Sequence, residues 1–131
     1  MNNPLILLVD DDPDDLLLVR DAIMAESSLF TFHESNNGRH ALNFLQSLSS
    51  KAEYPGLIIL DINMPILNGR ETLAILKSDV ALKNIPVVIF TTSSNTADKE
   101  YCGQFNVPLL IKPSDMSKLS EVAKILVSYI K

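Results

Sequence analysis

A single cysteine, Cys102, stands in the whole chain, so no internal disulfide and no multi-cysteine metal site can form within it. A lone thiol of this kind is expected to be buried or inert. Long apolar runs are also missing: the longest are strand-sized, and no membrane-crossing helix fits them. The amino end, MNNPLILLVDDD, lacks the basic start and extended apolar core of a secretion signal, so a cytoplasmic location is expected. Clusters of Lys and Arg are absent as well. With 11 basic against 16 acidic residues and a net charge of −5, a nucleic-acid backbone is an improbable partner. There is no Gly-rich phosphate loop, no Ser-His-Asp ordering and no internal repeat. His33 and His40 lack paired ligand spacing, which leaves them packing or surface roles.

What is present is an ordinary globular composition, 47% hydrophobic and 21% charged, in 131 residues. That length suits one domain over 1–131 with a proper core. Short continuous apolar runs at 5–9, 57–60, 87–90 and 109–111 read as strands of a parallel sheet buried on both faces, with a weaker candidate at 30–34. Helical spacing lies between them. Leu16, Val19 and Ile23 share one face, as do Ala41, Phe44, Leu45 and Leu48; Leu73 and Leu76; and Leu119, Val122, Ala123, Leu126 and Ile130. Residues 96–105 are less periodic but also read as helix, and 47–56 as a helix end with an exposed loop.

Alternating strands and helices joined by short links predict an α/β doubly wound sandwich with right-handed crossovers. Such sheets place function beyond the carboxyl ends of the strands, where strand order reverses. Those ends carry Asp10 and Asp11 after the first strand, Asp61 after the third, Thr91 and Thr92 after the fourth, and Lys112-Pro113 after the fifth.

The acidic stretch DDDPDD, 10–15, divides by position. Asp12 before Pro13 fits a helix N-cap, and Asp14 and Asp15 fall in the first turn, where exposed negative charge is favoured. Both are expected to be solvated. Asp10 and Asp11 instead meet Asp61 at the mouth of buried strands. Two unit charges about 4 Å apart repel by about 4 kcal/mol at an effective dielectric of about 20, so a cation or proton is needed. Mg²⁺ suits such a set and leaves room for a phosphate oxygen. Asp61, on the central strand, is then best placed as a nucleophile toward phosphorus, with Lys112 and a Thr hydroxyl contacting the phosphoryl oxygens.

Asp10-Asp11, LDINMPILNG (60–69), PVVIFTTS (86–93) and IKP (111–113), in that order, resemble the receiver domain of two-component response regulators across essentially the whole chain. Within that family the chain looks most like stand-alone receivers associated with bacteriophytochrome-type histidine kinases, on NGRETLAILKSD followed by NIPVVIFTTS. The resemblance implies a flavodoxin-like (βα)5 fold, strand order 2-1-3-4-5, and a cytoplasmic bacterial phosphorelay protein without an output domain. It implies that Asp61 accepts a phosphoryl group from a sensor histidine kinase or phosphotransfer protein. Asp11 and Asp61 would ligate Mg²⁺ by side chains, Asn63 by its carbonyl and Asp10 through water. Thr91 and Lys112 would contact the phosphoryl group, with Asn63 and Ser93 at positions that influence its lifetime. The Lys112-Pro113 bond would be cis, and Pro65 and Gly69 would shape the loop after Asp61, the glycine supplying a conformation that a Cβ disfavours. No catalytic turnover beyond gaining and losing the phosphoryl group is implied.

One position departs from the family. Many receivers carry Tyr or Phe three residues before the lysine, a ring that turns inward as the threonine moves; here it is Leu109. Output would pass through the face of the fourth helix, fifth strand and fifth helix, by partner binding or a homodimer there. Phe105 and Tyr101 are expected to pack the fourth helix. Three alternatives stay in view: a pseudo-receiver that binds without phosphorylation, a haloacid-dehalogenase-type phosphatase using Asp10 and Asp12, and a flavodoxin-like flavin carrier. The last lacks a hydroxyl-rich loop after the first strand.

Overall fold

The computed structural model describes residues 3–92 and 95–130. Ser93, expected at a lifetime-tuning position, lies outside the described residues. The chain runs β1 (Leu5–Val9), α1 (Pro13–Glu26), β2 (Thr31–Ser35), α2 (Gly38–Ser47), a 3-10 turn (Lys51–Glu53), β3 (Leu57–Leu60), α3 (Gly69–Ser78), β4 (Val87–Thr91), α4 (Thr96–Gln104), β5 (Leu109–Ile111) and α5 (Ser120–Val127). The five strands form one parallel sheet in the order β2-β1-β3-β4-β5, as expected.

Alternation along the strands sorts the core onto two faces. Ile6, Leu8, Ile59, Val88 and Phe90 pack with Leu16, Val19 and Ile23 of α1 and Ala123 and Leu126 of α5. Leu7, Val9, Ile58, Leu60 and Ile89 point the other way, against Leu42 and Leu45 of α2, Leu73 and Leu76 of α3, and Cys102 of α4. Burial on both sides explains the unbroken apolar runs.

Several boundaries differ from expectation by a residue. β2 begins and ends one residue later than read, β4 extends to Thr91, and α5 stops at Val127, although Ile130 still packs against the core. The weak periodicity of α4 has a specific cause. It buries Cys102 and a charged side chain, Asp98, whose carboxylate lies 3.7 Å from the Arg70 guanidinium at the start of α3. Arg70 also lies over the Tyr101 ring, 4.5 Å from its centre, and the Tyr101 hydroxyl donates to the Arg70 carbonyl at 2.8 Å. The two helices are thus tied by polar contacts where an apolar stripe was sought.

The expected packing roles hold elsewhere. Burial pushes the Cys102 thiol above its ordinary range. His33 stacks on Phe44 with ring centres 3.7 Å apart, and His40 Nδ1 lies 2.9 Å from the Ser35 hydroxyl.

Candidate functional site

Strand order reverses at β1, whose neighbours are β2 and β3, and the residues just beyond these strands form the site. Sheet hydrogen bonding continues into them. The Asp10 N–H donates to the Ser35 carbonyl at 3.0 Å, Asp61 N–H to Val9 at 2.9 Å, and Lys112 N–H to Thr91 at 2.8 Å. Each side chain therefore leaves a backbone already held by the sheet.

Asp12 caps α1 as expected, its carboxylate accepting from the N–H groups of Asp14 and Asp15, with Pro13 at the first helical position. Its own N–H donates to Asp10 Oδ1 at 3.0 Å. Asp10 is consequently tied to the helix start on one oxygen and to Lys112 on the other, at 2.6 Å. On Asp61, the Ile62 N–H binds Oδ1 at 2.8 Å, while Lys112 Nζ reaches Oδ2 at a looser 3.3 Å.

Asp15 does not behave as expected. It was read as a solvated first-turn acid, yet its side chain is 16% exposed and its Oδ2 accepts from Lys112 Nζ at 2.8 Å. Asp14 remains exposed. The lysine thus faces three carboxylates, those of Asp10, Asp15 and Asp61, one for each ammonium proton.

Burial dominates the charge balance of Asp10 and pushes its carboxyl up to about 6, against the lowering influence of Lys112 and the Asp12 N–H. Burial also opposes the Lys112 charge, but the hydrogen bonds to Asp10 and Asp15 and the nearby Asp61 outweigh it and hold the amine above its ordinary 10.5. The lysine stays charged.

Ligand oxygens of Asp10, Asp11 and Asp61 lie within 4.8 Å of one another, Asp11 being the exposed member. Three oxygens converging at that spacing, with one side open to solvent, match a hard cation that takes few protein ligands and keeps its waters. Asn63 is exposed beside them in the loop after β3. Thr91 is fully buried at the end of β4. Leu109, paired with Ile89, is partly buried against the same core cluster that Tyr101 and Phe105 cover.

The loop after Asp61 corrects the expectation for its glycine. Ile66, not Gly69, takes the left-handed backbone, at φ 70, in a three-residue turn closed by the Leu67 N–H to the Pro65 carbonyl at 2.7 Å. A β-branched residue held there stores roughly 1–3 kcal/mol of strain. Gly69 is needed for space: an added Cβ would sit 2.1 Å from the Asp61 carbonyl oxygen. Asn68 and Glu71 close a capping box that starts α3 at this contact. The Lys112-Pro113 bond also differs from expectation, since the described residues contain no cis peptide. The turn is closed with the ordinary trans isomer, which X-Pro bonds favour by about 0.5–1 kcal/mol.

A doubly wound parallel sheet with acids at its switch point and a lysine beyond its edge strand is the receiver architecture, and the chain belongs to the response regulator receiver domain family, whose model matches residues 6–124. Its curated relatives include the response regulator Rcp1 of Synechocystis sp., 39% identical over 104 residues that span 74% of this chain and 69% of the relative. Among solved structures, the phosphorylated cyanobacterial phytochrome response regulator RcpA superimposes with a TM-score of 0.87 at 31% identity, covering 98% of this chain and 94% of that one. The Mn²⁺-bound form of Rcp1 gives 0.84 at 33% identity, covering 95% and 92%. The resemblance to phytochrome-associated response regulators is thereby borne out. The phosphatase alternative falls with that family assignment.

Proposed function

We propose that the protein acts as a cytoplasmic receiver that takes a phosphoryl group onto Asp61 from the phosphohistidine of a sensor kinase, of phytochrome type, or of a phosphotransfer protein. The observation that carries this reading is the Lys112 ammonium shared among Asp10, Asp15 and Asp61, with Asp61 the loosest partner at 3.3 Å. Asp10 is held more tightly, its Oδ2 accepting from Lys112 at 2.6 Å and its Oδ1 from the Asp12 N–H at 3.0 Å, which makes it the less available carboxylate. Asp61 keeps an oxygen that a small movement of the lysine releases.

In the transfer an Asp61 oxygen forms a bond to phosphorus while the P–N bond to imidazole breaks; the electron pair returns to the ring nitrogen, which then takes a proton. Lys112 faces the negative charge on the phosphoryl oxygens, and the Thr91 hydroxyl is proposed to hydrogen-bond one of them. Asp11 and Asp61, the Asn63 carbonyl and, through water, Asp10 would hold Mg²⁺. When bound, the ion supplies positive charge to the same phosphoryl oxygens. The clustered carboxylates, the Mn²⁺-bound form of Rcp1 and the phosphorylated form of RcpA support this assignment.

Output is proposed to leave through the face of α4, β5 and α5, by partner binding or a homodimer. With Leu109 offering no ring to bury, the signal rests on movement of the backbone after Thr91. The exposed Ile111 and Tyr129 give that face apolar contacts. Intact-mass measurement after incubation with acetyl phosphate and Mg²⁺ tests the assignment: wild type should gain one phosphoryl mass and Asp61→Asn none. Equal labelling of both proteins would reject Asp61.

A further inference from the structure

The phosphoacceptor reading gives work to Asp10, Asp11, Asp61, Thr91 and Lys112, and leaves Asp15 without any. Asp15 differs from the other acids near Lys112 in where it is anchored. Asp10 and Asp61 belong to the cluster of converging ligand oxygens, and Asp15 does not. It sits in the first turn of α1, its N–H held by the Asp12 cap and the next residue, Leu16, buried in the core. Its carboxylate is consequently fixed by a helix rather than by a loop.

Lys112 is fixed much less firmly. Its stem is a flexible chain following a three-residue edge strand, and its ammonium is located by its acceptors. A cation at the acidic cluster would neutralise Asp10 and Asp61 and weaken their attraction for the lysine. Asp15 would keep its charge and its grip. We propose that Asp15 is a positioning residue that holds the Lys112 ammonium over the pocket while Asp10 and Asp61 are engaged with the cation and the phosphoryl group, an inference that rests on Asp61 being the phosphoacceptor. One ammonium proton stays on Asp15, which leaves two to reach phosphoryl oxygens.

The test compares wild type, Asp15→Ala and Asp15→Asn, all confirmed folded by thermal melting. Asp15→Ala removes atoms and Asp15→Asn keeps the shape, so neither substitution introduces a clash at this largely covered position. In acetyl phosphate and Mg²⁺, time-resolved intact mass should show Asp15→Ala labelling on the order of tenfold more slowly, the cost of a misplaced contact group. Asp15→Asn retains an acceptor oxygen and should recover part of the rate. A second readout follows the Lys112 ammonium itself by ¹H–¹⁵N NMR in protein saturated with Mg²⁺, where Asp10 and Asp61 are engaged by the cation. Its slowly exchanging signal should be present in wild type, weakened in Asp15→Asn and lost in Asp15→Ala. Unchanged or faster labelling by Asp15→Ala overturns the proposal, as does survival of the ammonium signal in that variant. Failure of wild type to label at all is a different result: it rejects the phosphoacceptor reading, while the NMR arm still reports whether Asp15 holds the lysine.

Discussion

At the amino ends of the strands, Pro4, Tyr54, Pro55, Ile85 and Pro86 help to line an open groove of about 600 Å³, whereas the carboxyl ends draw Asp10, Asp15 and Asp61 onto a single lysine, Lys112. The grooved end is chemically plain. Its charged lining consists of Lys51 and Glu53, and its remaining walls are prolines, a tyrosine, aliphatic and small residues and two asparagines. The carboxyl end buries Asp10, Asp61 and Lys112. Pocket size is a guide to drug-sized ligands, but a cation and a phosphoryl group need charge and fixed geometry more than room. The contrast also shows in the backbone, since the carboxyl end holds Ile66 in a strained turn and brings α3 against the Asp61 carbonyl.

The tightness at the carboxyl end can be broken most severely at Gly69. Gly69→Ala drives a Cβ into the Asp61 and Ile62 backbone and should cost about 3 kcal/mol or more in chemical denaturation, while lowering Asp61 labelling. Gly103 in α4 is the control, with nothing within 4 Å of an added Cβ. Gly103→Ala should stabilise by about 0.5–1 kcal/mol. Equal effects at the two glycines would remove the distinction between the site and its surroundings.

A smaller expected effect sharpens the electrostatic side of the comparison. Mg²⁺ at a hundredfold excess over its dissociation constant should stabilise the fold by about 2.7 kcal/mol, read as a higher melting temperature. Asp11→Ala should lose most of that gain, whereas Lys51→Ala in the amino-end groove should keep it. A gain retained by Asp11→Ala would place the metal elsewhere.

The smallest effect concerns a titrating group outside both ends. Burial, with His40 nearby, holds the His33 ring below its ordinary value of 6.5, and its buried Nε2 has no hydrogen-bond partner among the described residues. Because the folded form favours the neutral ring, this stability is present above 6.5 and is lost as pH falls through the lowered folded value. His33→Phe keeps the stack on Phe44 and should flatten that part of the melting profile between neutral and mildly acid pH. An unchanged profile would assign the pH dependence to other groups.

The parallel sheet was legible because buried strands write themselves as apolar runs, and Asp10 and Asp61 each follow one directly; the strand order was legible only through the family resemblance. Asp15 was legible in neither way. A first-turn acid already has a local reason to exist, and that reason hides a partner 97 residues away. Asp98 escaped similarly, since apolar periodicity cannot register a helix that buries a charge against Arg70. The left-handed residue was sought at a glycine because glycine tolerates it without strain. The structure puts it at Ile66 and uses Gly69 to let two backbones touch.

The central claim is that, among the crowded acids of the carboxyl end, one carboxylate reacts. An aspartyl phosphate is an acyl phosphate, which borohydride reduces to homoserine, so the modified residue can be read directly by tandem mass spectrometry after labelling and reduction. The account predicts homoserine at position 61 alone. Homoserine at Asp10, Asp11 or Asp15, or none in protein whose intact mass shows the phosphoryl group, would contradict it.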